Sequence, residues 1–235
     1  MPSPVLELRD IRKDYRGLRP LRLESLTLHE GQGMALTGFD ATTAEVLVNL
    51  ITGAIVPDTG SVHIFGQSTA DIADAEAWLA TLDHFGILSE RAVLLEGFSV
   101  EQNLALPLSI GITDLSPETR SAVIRLAEEV GLSAERLPLP VAQLQPAERI
   151  RLRLGRALAL DPRVLLAEHP NATLEDEELD AFAVDLGRIV ATRGVACLVL
   201  TADDRFAGRV FSDVLTLHPG SGALRNRTGW RRLLP

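Results

Sequence analysis

The sequence predicts an α/β fold built on a largely parallel central sheet, and three observations lead there. Short β-type runs alternate with helical ones along most of the chain, the pattern of strands joined by helical crossovers. An apolar strand at Met34, Ala35 and Leu36 runs through Gly38 and a short loop into a helix with Val46, Leu47, Leu50 and Ile51 at apolar-periodic positions. With 235 residues and 46% hydrophobic content, the chain is long enough to bury one full core, with room for a smaller inserted unit.

Taken in order, residues 5–8, 21–28 and 34–37 are β-type runs in the first part of the chain, the last of them leading into the helix over 43–52. A strand over 62–65, a helix over 73–82 and a strand over 86–88 follow. From Glu90 to Gln143 strands cease, and helices over 100–106 and 117–130 are separated by Gly and Pro turns, the pattern of a helical insert. The helix over 146–160 places Ile150, Leu154, Ala157 and Leu158 on one face, and Pro146 falls in its first turn, where a missing N–H costs little. Strands over 164–167, 197–201 and 214–217, with a helix over 176–192, complete the alternation. The last seven residues, GWRRLLP, read as a tail whose tryptophan and arginines pack at the surface.

Charge and cysteine content exclude several classes. A formal net charge of −9 argues against a general nucleic-acid binder, although Arg149, Arg151, Arg153 and Arg156 form a local basic cluster. The single cysteine, Cys197, lies in an apolar run and can form neither an internal disulfide nor a metal cluster, which fits a reducing, cytoplasmic setting. No apolar run approaches the roughly 18 residues of a membrane span, and the N-terminus lacks the layout of a signal peptide. Attachment to a membrane would then run through a partner.

The strand, loop and helix at 34–52 have the frame of a phosphate-binding loop without its chemistry. Such a loop needs a second glycine so that backbone amides approach phosphate, a lysine to neutralise it, and a Ser or Thr hydroxyl to hold Mg2+. Those three slots hold Thr43, Ala44 and Glu45. At about 4 Å and an effective dielectric near 20, a Glu45 carboxylate would repel each phosphate charge by roughly 4 kcal/mol before screening. Thr42, Thr43 and Glu45 also read as a cap and a favourable charge for the helix that follows.

The segments ITGAIVPDTGSVHIFGQ, VEQNLALPL and RALALDPRVLLAEHP, in that order, closely resemble the ATP-binding subunit of ABC transporters, and the similarity covers nearly the whole chain. The resemblance implies a P-loop NTPase (RecA-like) core over 1–89 and 144–235 with an antiparallel β subdomain, and a helical subdomain over 90–143. It further implies a homodimer or heterodimer with another such subunit beneath a membrane-spanning permease, peripheral to the cytoplasmic face, with Mg-ATP as ligand if the site functions and no nucleic acid. Tyr15 matches the adenine-stacking aromatic, although it also reads as a packing residue, and Gly38 matches the first loop glycine.

Other positions depart from the family pattern. Glu90 stands for the glutamine that links Mg2+ to the membrane subunits, and Leu144, Gln145, Pro146, Ala147 and Glu148 stand for the signature LSGGQ. Glu168 stands for the metal-binding aspartate and could still hold a metal, while His169 stands for the glutamate base. Glu175 replaces an aspartate of the dimer-contact loop, and Ala202 replaces the switch histidine. His169 reads either as a rebuilt general base or as a histidine at a strand end. The QPAE segment also reads simply as a helix start.

The expected function is a catalytically degenerate, structural or regulatory subunit that docks through the cleft near residues 90–108, with Arg91, Leu94, Leu95, Phe98 and Leu106 as contacts. The rivals are a slow ATPase with a rebuilt site, in which Glu168 and Glu45 hold Mg2+, and a soluble binding module unrelated to transport.

Overall fold

Alternation within the parallel strands decides where the layers go. In a computed structural model describing residues 3–226, Ala35, Leu165, Ala167, Cys197 and Val199 belong to one buried cluster, while Met34, Leu36, Val164, Leu166, Leu198 and Leu200 belong to the other. Each strand therefore feeds two cores, and a sheet buried on both faces reads as nearly continuous apolar sequence.

Ten strands and seven α-helices are described. They are β1 (Pro4–Lys13), β2 (Leu21–His29), β3 (Gly33–Thr37), α1 (Ala41–Ile51), β4 (Thr59–Ile64), β5 (Gln67–Ser68), α2 (Ala75–Leu82), β6 (Phe85–Leu88) and α3 (Val100–Ala105). There follow α4 (Pro117–Glu129), α5 (Pro146–Leu158), β7 (Val164–Glu168), α6 (Asp176–Arg193), β8 (Ala196–Leu200), α7 (Asp204–Val210), β9 (Val214–His218) and β10 (Ala223–Asn226). The larger sheet has the order β10-β9-β3-β8-β7-β6, in which only β10 runs antiparallel to its neighbour. A second, antiparallel sheet has the order β2-β1-β4-β5. Its inward residues, among them Leu6, Leu8, Leu23 and Leu28, join the cluster that also holds α1.

The segment between β6 and α5 carries α3, α4 and two 3-10 turns, and its apolar residues, including Leu104, Val123 and Val141, share a cluster with α5 and α6. The arginines of α5 fasten this segment in place. Arg149 pairs with Glu96, Arg151 with Asp185 and the Val130 carbonyl, Arg153 donates to the Ala92 carbonyl, and Arg156 donates to the Val93 carbonyl. The basic cluster is thus consumed internally.

Several boundaries depart from the sequence expectation. Strand β1 extends past residue 8 to Lys13, and α1 begins at Ala41 rather than residue 43. The short α7, capped by Asp203, and strand β10 were not anticipated. The helix at Pro146 begins as expected, with Pro146 as its first residue and the Gln145 amide donating to Glu148 at 2.9 Å. The GWRRLLP tail lies outside the described residues.

Gly86 sits where β6 crosses α5, and a Cβ there would come within 2.3 Å of the Ala157 carbonyl oxygen. Because backbone sits on both sides of this contact, neither can yield cheaply. We expect Gly86→Ala to cost about 2–3 kcal/mol and to lower the melting temperature by roughly 4–10 °C, as read by a calorimetric melt.

Candidate functional site

The candidate site forms at the C-terminal ends of β3, β7 and β8, where their loops converge. Helix α1 opens there with unsatisfied amides, a position that favours a negative charge. The chain supplies that charge itself. Asp40 is the N-cap, and its carboxylate accepts the Thr43 amide hydrogen at 2.7 Å. This replaces the cap expected from Thr42 and Thr43, which instead occupy the first turn; Thr42 is exposed and Thr43 half-buried. Hydrogen bonding from the Thr43 amide, followed by that from its hydroxyl, holds the Asp40 carboxyl below its ordinary value of 3.8. The nearby His169 lowers it further.

Gly38 adopts φ +86°, and a Cβ there would approach the Leu217 carbonyl oxygen to 2.9 Å, so glycine is required by both conformation and space. Ala44, in the lysine slot, is completely buried in the α1 core. Tyr15 is half-buried, and its hydroxyl lies 3.2 Å from the Thr43 hydroxyl. Tyr15, Gly38 and Thr43, together with Leu18, Arg19, Pro20, Asp40 and Leu217, line a cavity of about 300 Å³ beside the loop.

One guanidinium governs the electrostatics of the other half of the site. Arg91 Nη2 and Nε donate to Glu168 Oε2 at 2.7 and 3.2 Å, and Nη1 donates to Glu45 Oε1 at 3.1 Å. The Glu168 side chain is 8% exposed, whereas those of Arg91 and Glu45 are about half exposed at 44% and 45%. A carboxylate this buried requires a compensating cation, and Arg91 provides it through a charge-assisted fork. Arg91, expected as a docking contact, therefore takes part in the site, with 44% of its side chain still exposed.

His169 follows β7 with φ +44°, its amide donating to the Leu200 carbonyl at 2.8 Å, while its buried Nε2 has no hydrogen-bond partner. Glu90 accepts from the Thr173 hydroxyl at 3.3 Å and lies 3.8 Å from Arg153. Ala202 is exposed, and around it Thr201 donates to Asn171, whose amide donates to Asp203. Glu175 is the N-cap of α6. Gln145, Pro146, Ala147 and Glu148 form the start of α5, with Glu148 also paired to Arg136 at 2.6 Å. Among the described residues no group of His, Cys, Asp and Glu side chains is arranged to hold a metal ion.

Of the remaining docking candidates, Leu94 is 5% exposed and packs in the core, a correction to its expected surface role. Leu95 and Leu106 are half-buried, and Phe98 is exposed. The groove that does open beside this segment, about 330 Å³, is lined instead by Leu79, Ile87, Ala92, Pro107, Arg156 and Leu160 among others. Arg156 is half-buried, and burial lowers its pKa, with the charge of Arg153 adding to the effect. The groove exists only where α2, β6 and α5 come together in the fold, which pattern along the chain does not show.

The sequence profile of the ABC transporter family matches residues 21–172, more than half of the chain. The chain belongs to the ABC transporter family. The methionine import ATP-binding protein MetN of Brucella abortus (strain 2308) is 29% identical over 218 residues, covering 93% of this chain. The chain spans only 58% of the length of that relative. The lipoprotein-releasing system ATP-binding protein LolD of Alcanivorax borkumensis is 31% identical over 215 residues, covering 88% of this chain and 92% of its own length. Among solved structures, the dimeric bacterial ABC transporter cassette MJ0796 matches with a TM-score of 0.76 at 23% identity, covering 94% of this chain and 97% of that one. At that identity the likeness concerns the fold, and the α/β cassette expected from the sequence is the fold observed.

Two predictions follow from the internal charges. At neutral pH, Asp40→Ala should cost about 1 kcal/mol of stability, the usual worth of an N-cap. Because the folded pKa of Asp40 is depressed, its contribution is present above the unfolded value of 3.8 and is lost as pH falls through the folded value. The urea stabilities of the two proteins should therefore begin to converge below about pH 4 and coincide only below the folded value. Removing Arg91 strands Glu168, so Arg91→Ala should cost roughly 2–3 kcal/mol, less than a fully buried pair because the arginine is partly solvated. Adding Glu168→Gln should recover most of that loss; strictly additive costs in the double-mutant cycle would show that the two residues do not act as a pair.

Proposed function

We propose that this ABC-family chain is a structural or regulatory subunit that docks on a membrane permease and hydrolyses ATP poorly or not at all. The observation that carries this reading is the Arg91 fork between Glu45 and Glu168, the residues in the two slots that would hold Mg2+. The residues present do not fit Mg-ATP. The lysine slot is a buried alanine, the hydroxyl slot is a carboxylate, and the guanidinium already neutralises both carboxylates. The Asp40 carboxylate, meanwhile, takes the amide at the start of α1 that an anion would use. Each ligand charge thus has a counterpart within the chain.

Docking would use the groove between α2, β6 and α5, around which Leu79, Val93 and Leu160 are exposed. Relatives named as import or lipoprotein-releasing ATP-binding proteins support a role beside a permease. A position on the inner face of the membrane follows from that partnership. Among the described residues no helix is long and apolar enough to cross a membrane. Dimers with a second copy or a related subunit belong to the same reading, supported by the dimeric cassette of like fold. In such a dimer the start of α5, with Pro146 lacking a donor and Glu148 already engaged, would face the partner's loop as a helix start rather than as a phosphate contact.

A second reading, a rebuilt ATPase site, is favoured by one observation: the buried Nε2 of His169 has no partner within the protein. Calorimetric titration with ATP, with and without Mg2+, separates the two. We expect no saturable heat up to millimolar Mg-ATP and no phosphate release, together with recovery of a multi-spanning membrane protein after mild detergent extraction. Mg2+-dependent turnover abolished by Glu168→Ala would overturn the proposal in favour of the rebuilt enzyme. Absence of any membrane partner would favour a soluble binding module.

A further inference from the structure

A second cavity lies at the opposite end of the parallel sheet. His84 immediately precedes β6 and Arg163 immediately precedes the parallel strand β7, whereas Glu168 closes β7, so the two sites are separated by the length of that strand, roughly 16 Å at about 3.3 Å per residue. The cavity measures about 360 Å³, within the range of small-molecule sites. Ile64, Ile72, Ala77 and Ala80 supply apolar wall, and Thr69, His84 and Arg163 supply polar groups.

Three features set this wall apart from ordinary surface. Arg163 lies over the Phe65 ring, 3.9 Å from its centroid, and among the described residues no carboxylate reaches it as an ion-pair partner. Phe65 also meets the His84 ring edge-on at 5.1 Å, so one aromatic ring contacts both the imidazole and the guanidinium of the wall. To do so it adopts φ +50° in the turn between β4 and β5, a conformation a bulky residue rarely takes and one that such turns usually assign to Asn, Asp or Gly. Finally, Thr69 is 4% exposed, and its Oγ1 has no hydrogen-bond partner. An unpaired hydroxyl at this depth is costly, and rotation of the Thr69 side chain towards the cavity that it lines would let an entering acceptor complete it.

We propose that this cavity is a binding site for a small organic anion, an oxyanion headgroup held by the Arg163 fork and the Thr69 hydroxyl with a compact apolar body against Ile72, Ala77 and Ala80. A planar fork of N–H donors stacked on an aromatic ring is preorganised for a carboxylate or phosphate oxygen pair. The site is independent of the nucleotide loop and does not rest on whether ATP binds there. Helix α2 forms its roof with Ala77, Ala80 and Thr81 and turns Leu79 and Leu82 towards the groove beside α5.

The test uses the full chain labelled with 15N and titrated at constant ionic strength with benzoate, phenyl phosphate and, as the neutral control, benzyl alcohol. At least one anion should produce saturable amide shifts confined to Gln67, Ser68, Thr69 and Arg163, and the tighter of the two identifies the headgroup. Arg163→Met should weaken that binding about tenfold or more, the worth of a charge-assisted bond. Thr69→Val, which keeps the side-chain shape, should weaken it severalfold and provides the decision if Arg163→Met does not fold. Unsaturable shifts, equal shifts with benzyl alcohol, or affinity undiminished in the folded variants would overturn the proposal.

Discussion

A carboxylate at the end of a buried parallel strand has to be neutralised, and in this chain a single arginine does so. Glu168 ends β7 inside the protein, and Arg91 reaches it from the loop after β6 while also holding Glu45 of α1. That fork ties three elements into one electrostatic unit. Without it, the convergence of β7 and α1 would place two carboxylates near one another with no cation between them, which the low dielectric of the strand end penalises heavily. Asp40 solves the complementary problem at the same place, supplying a negative charge to the helix terminus that faces the loop. Positive and negative demands that a ligand ordinarily meets are both met from within.

The same economy holds the helical segment to the sheet. Arg149, Arg153 and Arg156 project from α5 to Glu96 and to the carbonyls of Ala92 and Val93, so the loop that carries Arg91 is itself anchored by its polar backbone. Arg193 does similar work further away, bridging Glu129 of α4 and Asp161 beside β7. Cys197 shows the opposite behaviour: burial alone pushes its thiol far above the ordinary range, leaving it an inert packing residue, as its apolar surroundings in the sequence suggest.

Much of the fold was legible because sheet and helix impose local periods. Strand positions within the parallel sheet, the start of α5 at Pro146 and the cessation of strands between residues 90 and 143 all follow from pattern. Short elements were not legible: α7 and β10 have seven and four residues, too few for a period to stand out. In the site, the altered slots could be read one by one, but their partners could not. Asp40 carries an available signal, an aspartate just before a periodic helix, which a helix start at residue 43, two residues too late, leaves outside the cap. Arg91 carried none, since its carboxylates lie 46 and 77 residues away.

By itself, then, the sequence determined the α/β cassette, the strand and helix that frame the loop, and the replacement of its polar residues, since all of these are set by spacing along the chain and by residue type at fixed motif positions. Only tertiary structure decided that Arg91 faces inward onto Glu45 and Glu168, that Leu94 is core while α2 and α5 form the groove, and that Phe65 gathers Arg163 and His84 beside an unpaired Thr69. The physical reason is the same in each case. Charge pairing, cavities and hydrogen-bond satisfaction depend on distances between residues remote in sequence, and those distances exist only once the strands have paired.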